Sequence, residues 1–267
     1  MIEPGSGISS YQKSHRSSPP QDYDGSDVGD VGVIIKGRVY PYIEKNPLDL
    51  ISLTGFALGG TVGLSIGLLP CSFFKNFNIY LVAVSVFHFL EFYTTAKYNP
   101  GKVTSDSFLF NNGKAYAFSF VFAVSEALLE SLFFGWKTSF PTWYHTSAAI
   151  LGLILMFLGQ YIRTSAMITA GRSFSHQVKT SQNPDHVLIT TGIYAHLRHP
   201  SYFGYFWWAL GTQLWLLNPV SFAVFAYVLW RFFHSRIQYE ERYLNDFFGE
   251  EYTKYTQRVA VGIPFIN

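Results

Sequence analysis

Residues 48–69 read LDLISLTGFALGGTVGLSIGLL, and after Asp49 the run carries no charge. A helix rises about 1.5 Å per residue, so about 20 such residues reach across the ~30 Å of bilayer hydrocarbon. Further apolar stretches follow at roughly 77–95, 115–134, 146–168, 201–217 and 219–233. The first three of these also have spanning length. The last two are short and parted only by Asn218-Pro219, where Pro breaks a helix; they either extend into flanking polar residues or form a tight hairpin. Charged residues make up 13% of the chain, about half of the roughly 25% usual in soluble domains, and apolar residues 49%. The pattern predicts an all-α, polytopic integral membrane protein of about six transmembrane helices, and excludes both a soluble enzyme and a disordered chain. A net charge of +2 with no extended basic block excludes nucleic acid as a partner. Cys71 is alone, which excludes an intrachain disulfide.

Residues 1–45 contrast with this. They include GSGISSYQKSHRSSPPQDYDGSD (5–27), have no apolar core of the signal-peptide kind, and are expected to be a disordered tail without secretory processing. The Gly5–Gly7 fragment follows no strand and opens no helix, so it is not a phosphate loop. Lys and Arg placement sets the orientation. Lys13, Arg16, Lys36, Arg38 and Lys45 precede the first span, Lys97, Lys102 and Lys114 lie in the second loop, and Arg163, Arg172, Lys179 and Arg198 in the fourth. Arg231, Arg236, Arg242, Lys254 and Arg258 lie in the C-terminal segment, whereas Lys75 and Lys137 are alone on the opposite side. By the positive-inside rule both termini are cytosolic.

Within the spans, Gly55, Gly59, Gly63 and Gly67 recur every fourth residue and form a small-residue face. It serves either packing against a neighbouring span of the same chain, the favoured reading, or a homodimer seam. Polar groups are costly at this depth. Glu91, Glu126, Glu130, Gln160 and Arg163 therefore need partners. A glutamate facing Arg163 as an interhelical clamp is favoured over a polar lining for a substrate entrance. His88 is expected to be a satisfied interhelical hydrogen bonder.

The chemically informative residues lie between Arg172 and Glu241, in HVLITTGIYAHLRHPSYFGYFWW (186–208) and WRFFHSRIQYEERYLNDFFGEEY (230–252). His176, His186, His196 and His199 invite a metal reading, but His196/His199 is the one tight pair and no adjacent-histidine box exists, so no metal centre is expected. His199-Pro200 reads as a helix start, because Pro suits the first helical position. First-turn amides there would form an anion or cofactor site, or the helix is an ordinary interfacial one anchored by Tyr and Trp. Arg236 and Glu240 are four apart and share a helix face. They either form a weak ion pair with a snorkelling Arg236, or hold a zwitterionic ligand.

These residues point to a family. The chain resembles the protein-S-isoprenylcysteine O-methyltransferases, the isoprenylcysteine carboxyl methyltransferase family, and in particular its fungal six-span form. The likeness lies in LITTGIYAHLRHPSYFGYFWWALGTQ (188–213), WRFFHSRIQYEE (230–241), FFGEEYTKY (247–255) and VGIPFI (261–266). It continues upstream through FHFLEFYTTAKYNP (87–100), DSFLFNNGKAY (106–116) and AGRSFSHQVKT (170–180), covering everything but the tail. The resemblance implies one membrane methyltransferase domain over residues 46–267. Its catalytic and cofactor region, about 172–267, faces the cytosol and takes S-adenosylmethionine. By position, His186, Val187, Leu188, Ile189, Tyr194, His199, Pro200, Ser201, Tyr202 and Glu240 match the family's cofactor contacts. Lys179 stands where animal members have a contacting Gln. Arg236 matches the substrate residue, and Arg236 and Glu240 are the expected catalytic pair. The implied substrates are farnesylated or geranylgeranylated CaaX-processed proteins, such as small GTPases and lipidated pheromone precursors, in the endoplasmic reticulum membrane. A phospholipid N-methyltransferase, an NADPH-dependent sterol reductase and a non-catalytic lipid-binding membrane protein are the competing readings.

The implied chemistry needs no base. A cysteine α-carboxyl has a reference pKa of ~3.3–3.7 and is ionised at pH 7. Transfer to it is an in-line displacement in which opposite charges cancel, favoured by alignment and by a dry site. Phe203, Phe206, Trp207, Trp208 and Trp215 are candidates to line the prenyl route, although most are expected to be packing or lipid-facing residues.

Overall fold

The computed structural model describes residues 33–73, 75–111, 113–133, 142–181 and 187–266. Each apolar stretch is a helix: α1 (Leu48–Leu68), α2 (Lys75–Tyr98), α3 (Lys114–Phe133), α4 (Trp143–Ala170), α5 (Pro200–Leu216) and α6 (Pro219–Thr256). Four segments, Leu48–Leu68, Lys75–Tyr98, Tyr116–Phe133 and Trp143–Ser173, are long and apolar enough to cross a membrane. Large apolar side chains such as Phe56, Phe118, Phe157 and Tyr161 stand exposed on them, as a lipid-facing surface requires. α5 has 17 residues, whereas α6 has 38 and runs from apolar into polar sequence, with a break at Gly249 (φ 51°). Leu217 adopts a left-handed conformation (φ 57°) and Asn218 follows it, so α5 and α6 form a tight antiparallel hairpin. Phe206, Leu210, Phe233 and Ile237 close the hairpin's core.

Two expectations need correction. Within the stretch read as a disordered tail, β1 (Val33–Ile35) and β2 (Arg38–Tyr40) pair antiparallel. Lys36 and Gly37 both take positive φ (49° and 75°) between Ile35 and Arg38, which is hairpin chemistry rather than tail chemistry. Residues 1–32 lie outside the described residues. The Gly face of α1 does not pack against the described residues: a Cβ added at Gly55, Gly59, Gly63 or Gly67 meets none of them within 4 Å.

The close glycine seam joins α4 to α5 instead. A Cβ at Gly152 would lie 2.8 Å from the Gly211 carbonyl oxygen, and one at Gly159 2.5 Å from that of Gly204. The N-terminal half of α4 thus meets the C-terminal half of α5, so the two run antiparallel at backbone contact. This closeness sets Arg163, near the end of α4, against Ser201, at the start of α5.

Glu126, expected to face Arg163 or an entrance, instead caps α6: its carboxylate accepts from the amides of Val220 (2.8 Å) and Ser221 (2.6 Å). A carboxylate on a helix N-terminus satisfies orphan donors and opposes the dipole. Removal of a helix cap costs about 0.5–2 kcal/mol. Glu126→Ala is therefore expected to lower the thermal midpoint of the detergent-solubilised protein by a few degrees with methyl-donor affinity unchanged. An unaltered midpoint would show that the cap contributes nothing. His88 behaves as expected: Nδ1 meets the Phe108 carbonyl at 2.7 Å and Nε2 the Tyr116 hydroxyl at 3.1 Å. A carbonyl only accepts, so Nδ1 carries the hydrogen.

Candidate active site

The C-terminal ends of α2 and α4, the N-terminus of α5, residues 171–181 and 187–199 and the polar half of α6 gather at one end of the bundle, tied by the Asn99 side chain donating to the Phe174 carbonyl (2.9 Å). Two chambers meet there. The smaller is lined by Val187, Leu188, Ile189, Tyr194, Arg198, His199, Pro200, Ser201, Tyr202 and Glu240, with Leu244, Phe248, Tyr252 and Tyr255 from the end of α6. The larger, about 460 Å³, is lined mostly by apolar and aromatic side chains of α2, α3, α5 and α6, with Arg236, Arg163 and His176 at its polar end. Phe174, Ser175, Ser201 and Tyr202 belong to both and form the wall between them.

Arg236 and Glu240, one helical turn apart, are not a simple ion pair. Arg236 Nε–H donates to the Tyr202 hydroxyl (2.8 Å), which donates to Glu240 Oε2 (2.6 Å). Tyr202 thus separates them: Arg236 lines the apolar chamber and Glu240 the polar one. A second Arg236 nitrogen, Nη2, donates to the His176 carbonyl. Arg198 holds the chain end in place, donating to Glu241 (3.1 Å) and to the carbonyls of Thr256 (3.2 Å) and Val259 (2.8 Å). Burial alone would push the Glu241 carboxyl up, but its hydrogen bond to His199 and the charges of His199 and Arg198 hold it below its ordinary value. Burial pushes the Tyr255 hydroxyl up to about 12, so at neutral pH it stays a donor to the Tyr194 carbonyl (2.6 Å).

Behind the wall lies a buried polar cluster. Glu91, 1% exposed, accepts two bonds from Arg163, one of them Nη2 to Oε2 at 2.9 Å, and a third at 2.9 Å from His176 Nε2. Arg163 Nη1 donates to the Ser201 hydroxyl (3.0 Å), and the guanidinium lies 5.4 Å from the rings of both Phe87 and Tyr205. This is the expected clamp, with Glu91 as its acid.

Of the sequence-derived cofactor residues, Val187, Leu188, Ile189, Tyr194, His199, Pro200, Ser201, Tyr202 and Glu240 line one chamber together. His186 lies outside the described residues. Lys179 lines neither chamber. α5 does start at Pro200, but its first turn is not a free amide cradle, because the amides of Tyr202 and Phe203 both close on the His199 carbonyl (3.1 and 3.0 Å). Of the five aromatic candidates for the prenyl route, Trp208 lines the apolar chamber and Phe203, Phe206, Trp207 and Trp215 do not. Sequence reasoning missed Arg198 and Glu241 as a pair; the adjacency of Glu241 to Glu240 was the available signal.

The fold and site define a multi-pass helical membrane protein in which a polar chamber and an apolar chamber share one wall. The pattern of the isoprenylcysteine carboxyl methyltransferase family matches residues 151–246. The chain is similar to the protein-S-isoprenylcysteine O-methyltransferases of Saccharomyces cerevisiae (54% identity, 85% of this chain and 95% of that one) and Homo sapiens (39%, 73% and 67%). It also resembles the solved structure of the eukaryotic intramembrane Ras methyltransferase, isoprenylcysteine carboxyl methyltransferase, with a TM-score of 0.76, 36% identity and coverage of 81% and 77%. The chain belongs to the isoprenylcysteine carboxyl methyltransferase family.

Proposed function

We propose that this protein methylates the C-terminal carboxylate of prenylated cysteine in CaaX-processed proteins, with S-adenosylmethionine as methyl donor. One observation carries the reading: Tyr202 sits between a cation on the apolar side and an anion on the polar side, so a greasy carboxylate and a charged soluble reagent would meet at one wall. The polar chamber fits such a donor by its chemistry. Glu240 offers a carboxylate to an amino or hydroxyl group, Tyr194 and Phe248 offer ring faces, and the main chain of Val187–Ile189 makes no hydrogen bond to other described residues. When bound, S-adenosylmethionine supplies a methyl group activated on a sulfonium.

The chain's own residues do the rest. Arg236 keeps Nη1 unbonded among the described residues while Nε and Nη2 are held, so it receives the substrate carboxylate in a fixed pose. Tyr202 accepts from Arg236 and donates to Glu240, which keeps both anchors in one geometry. No residue removes a proton, because the substrate carboxyl is ionised well below pH 7. The apolar chamber takes the prenyl chain and excludes water from the reacting end. Arg236 favours a carboxylate over the ammonium of an amine phospholipid, which separates this reading from a phospholipid N-methyltransferase.

The Lys and Arg distribution supports six crossings with both termini cytosolic, α5 and α6 completing the count as a hairpin. Family membership supports the endoplasmic reticulum membrane as residence, residues 46–267 as one catalytic domain, and substrates such as small GTPases and lipidated pheromone precursors. The open Gly face of α1 supports a second copy as its partner. Purified protein is expected to transfer a radiolabelled methyl group to a farnesylcysteine analogue as a base-labile ester. Base-stable label, or turnover that requires reduced nicotinamide, would overturn the assignment.

A further inference from the structure

His176 lies outside the residues that the reaction itself requires, yet two of its groups face two different parts of the site. Its ring Nε2 is 2.9 Å from Glu91 Oε2, and its main-chain carbonyl accepts from Arg236 Nη2. Glu91 is fully buried and held by Arg163, so its position is set by α2 and α4. An ionised carboxylate only accepts, so the ring nitrogen facing it carries the hydrogen. The loop that bears His176 has no helix or strand of its own over residues 174–181, and its ring is a quarter exposed. Asn99 holds the loop at the Phe174 carbonyl (2.9 Å) and the Gln177 amide donates to the Ser175 hydroxyl (3.2 Å), but the ring's bond to Glu91 is the contact made by His176 itself, whose carbonyl Arg236 uses.

We infer that His176 is a positioning residue for the substrate carboxylate: it pins the loop to the buried Glu91–Arg163 pair and so fixes the Arg236 guanidinium. This rests on the reading of Arg236 as the carboxylate anchor. The pin matters because Arg236 is otherwise held by Tyr202 alone. A guanidinium held at Nε only can swing its terminal nitrogens, and two-pronged recognition of a carboxylate needs them fixed. The same clamp reaches the site a second way, through Arg163 Nη1 to the Ser201 hydroxyl on the shared wall (3.0 Å). Loss of the His176 ring leaves that arm and the polar chamber intact.

Steady-state kinetics on full-length protein test this with three variants and both substrates varied. His176→Ala is expected to raise the KM for a farnesylcysteine analogue about tenfold, with the KM for S-adenosylmethionine within twofold of the parent. His176→Gln places an amide N–H near the former ring nitrogen and is expected to recover most of the loss. An unchanged farnesylcysteine KM in His176→Ala, an equal rise in both KM values, or a Gln variant no better than Ala would each overturn the inference. Arg236→Ala run alongside separates the two layers. If it leaves the farnesylcysteine KM unchanged, the anchor reading itself fails. If it raises that KM while His176→Ala does not, the inference about His176 fails alone.

Discussion

In the Arg236→Ala protein the KM for a prenylcysteine rises about a hundredfold, and the KM for the methyl donor moves less than threefold. The asymmetry follows from Tyr202. Arg236 faces the apolar chamber, with its guanidinium 5.3 Å from the Tyr202 ring and 5.9 Å from that of Phe232, so water competes weakly for a bound carboxylate. Hydrogen bonds to charged groups contribute ~1.5–3 kcal/mol each, and loss of a two-pronged contact, partly replaced by water, amounts to about 3 kcal/mol. At about 1.4 kcal/mol per tenfold that is roughly two decades. Glu240 keeps its bond from Tyr202 across the wall, so the polar chamber retains its shape. Arg236→Lys restores a charge without the fork and recovers about one decade. A matched rise in both KM values would mean that Arg236 serves only to hold Tyr202.

How far this site was legible depends on the range of the signal. The spans were legible because each is a local property: residues 48–69 were read as a crossing and Leu48–Leu68 is the helix. The start of α5 at Pro200 was legible for the same reason. Arg163 was legible as needing an acid, since a charge at that depth is unstable unpaired. Which acid was not, because the choice among Glu91, Glu126 and Glu130 depends on how four helices pack. The partition of Arg236 and Glu240 was also hidden. Their spacing places them on one face of α6, and only the insertion of Tyr202 from α5 divides that face between two chambers. The hairpin over residues 33–40 was masked by its polar flank, although Lys36-Gly37 between the short runs Val33–Ile35 and Arg38–Tyr40 carried the turn signal. The glycine seam was not legible because spacing by four is the familiar close-packing signal, whereas Gly152/Gly159 and Gly204/Gly211 recur by seven.

Those two glycine series have opposite mutational consequences. A Cβ at Gly204 would stand 2.6 Å from the Gly159 carbonyl oxygen and 2.7 Å from the Arg163 amide nitrogen, both backbone atoms that cannot rotate away. α4 and α5 must then separate. Overpacking costs about 1–3 kcal/mol, which for a chain of this size lowers the thermal midpoint by about 2–10 °C. Activity suffers more than stability, because the displaced turn of α4 carries Arg163, whose Nη1 holds Ser201 on the wall common to both chambers. A misplacement of about 1 Å at such a wall costs on the order of a hundredfold in rate. Gly204→Ala is therefore expected to lose methyl transfer at temperatures where it remains folded. Gly63→Ala is the matched control on the open face of α1, where an added Cβ meets nothing. Ala is the better helix former by ~0.8–1.0 kcal/mol, so the control's midpoint holds or rises. Equal midpoints and equal rates for the two variants would mean that α4 and α5 do not touch backbone to backbone, and the placement of Arg163 behind Ser201 would fall with that contact.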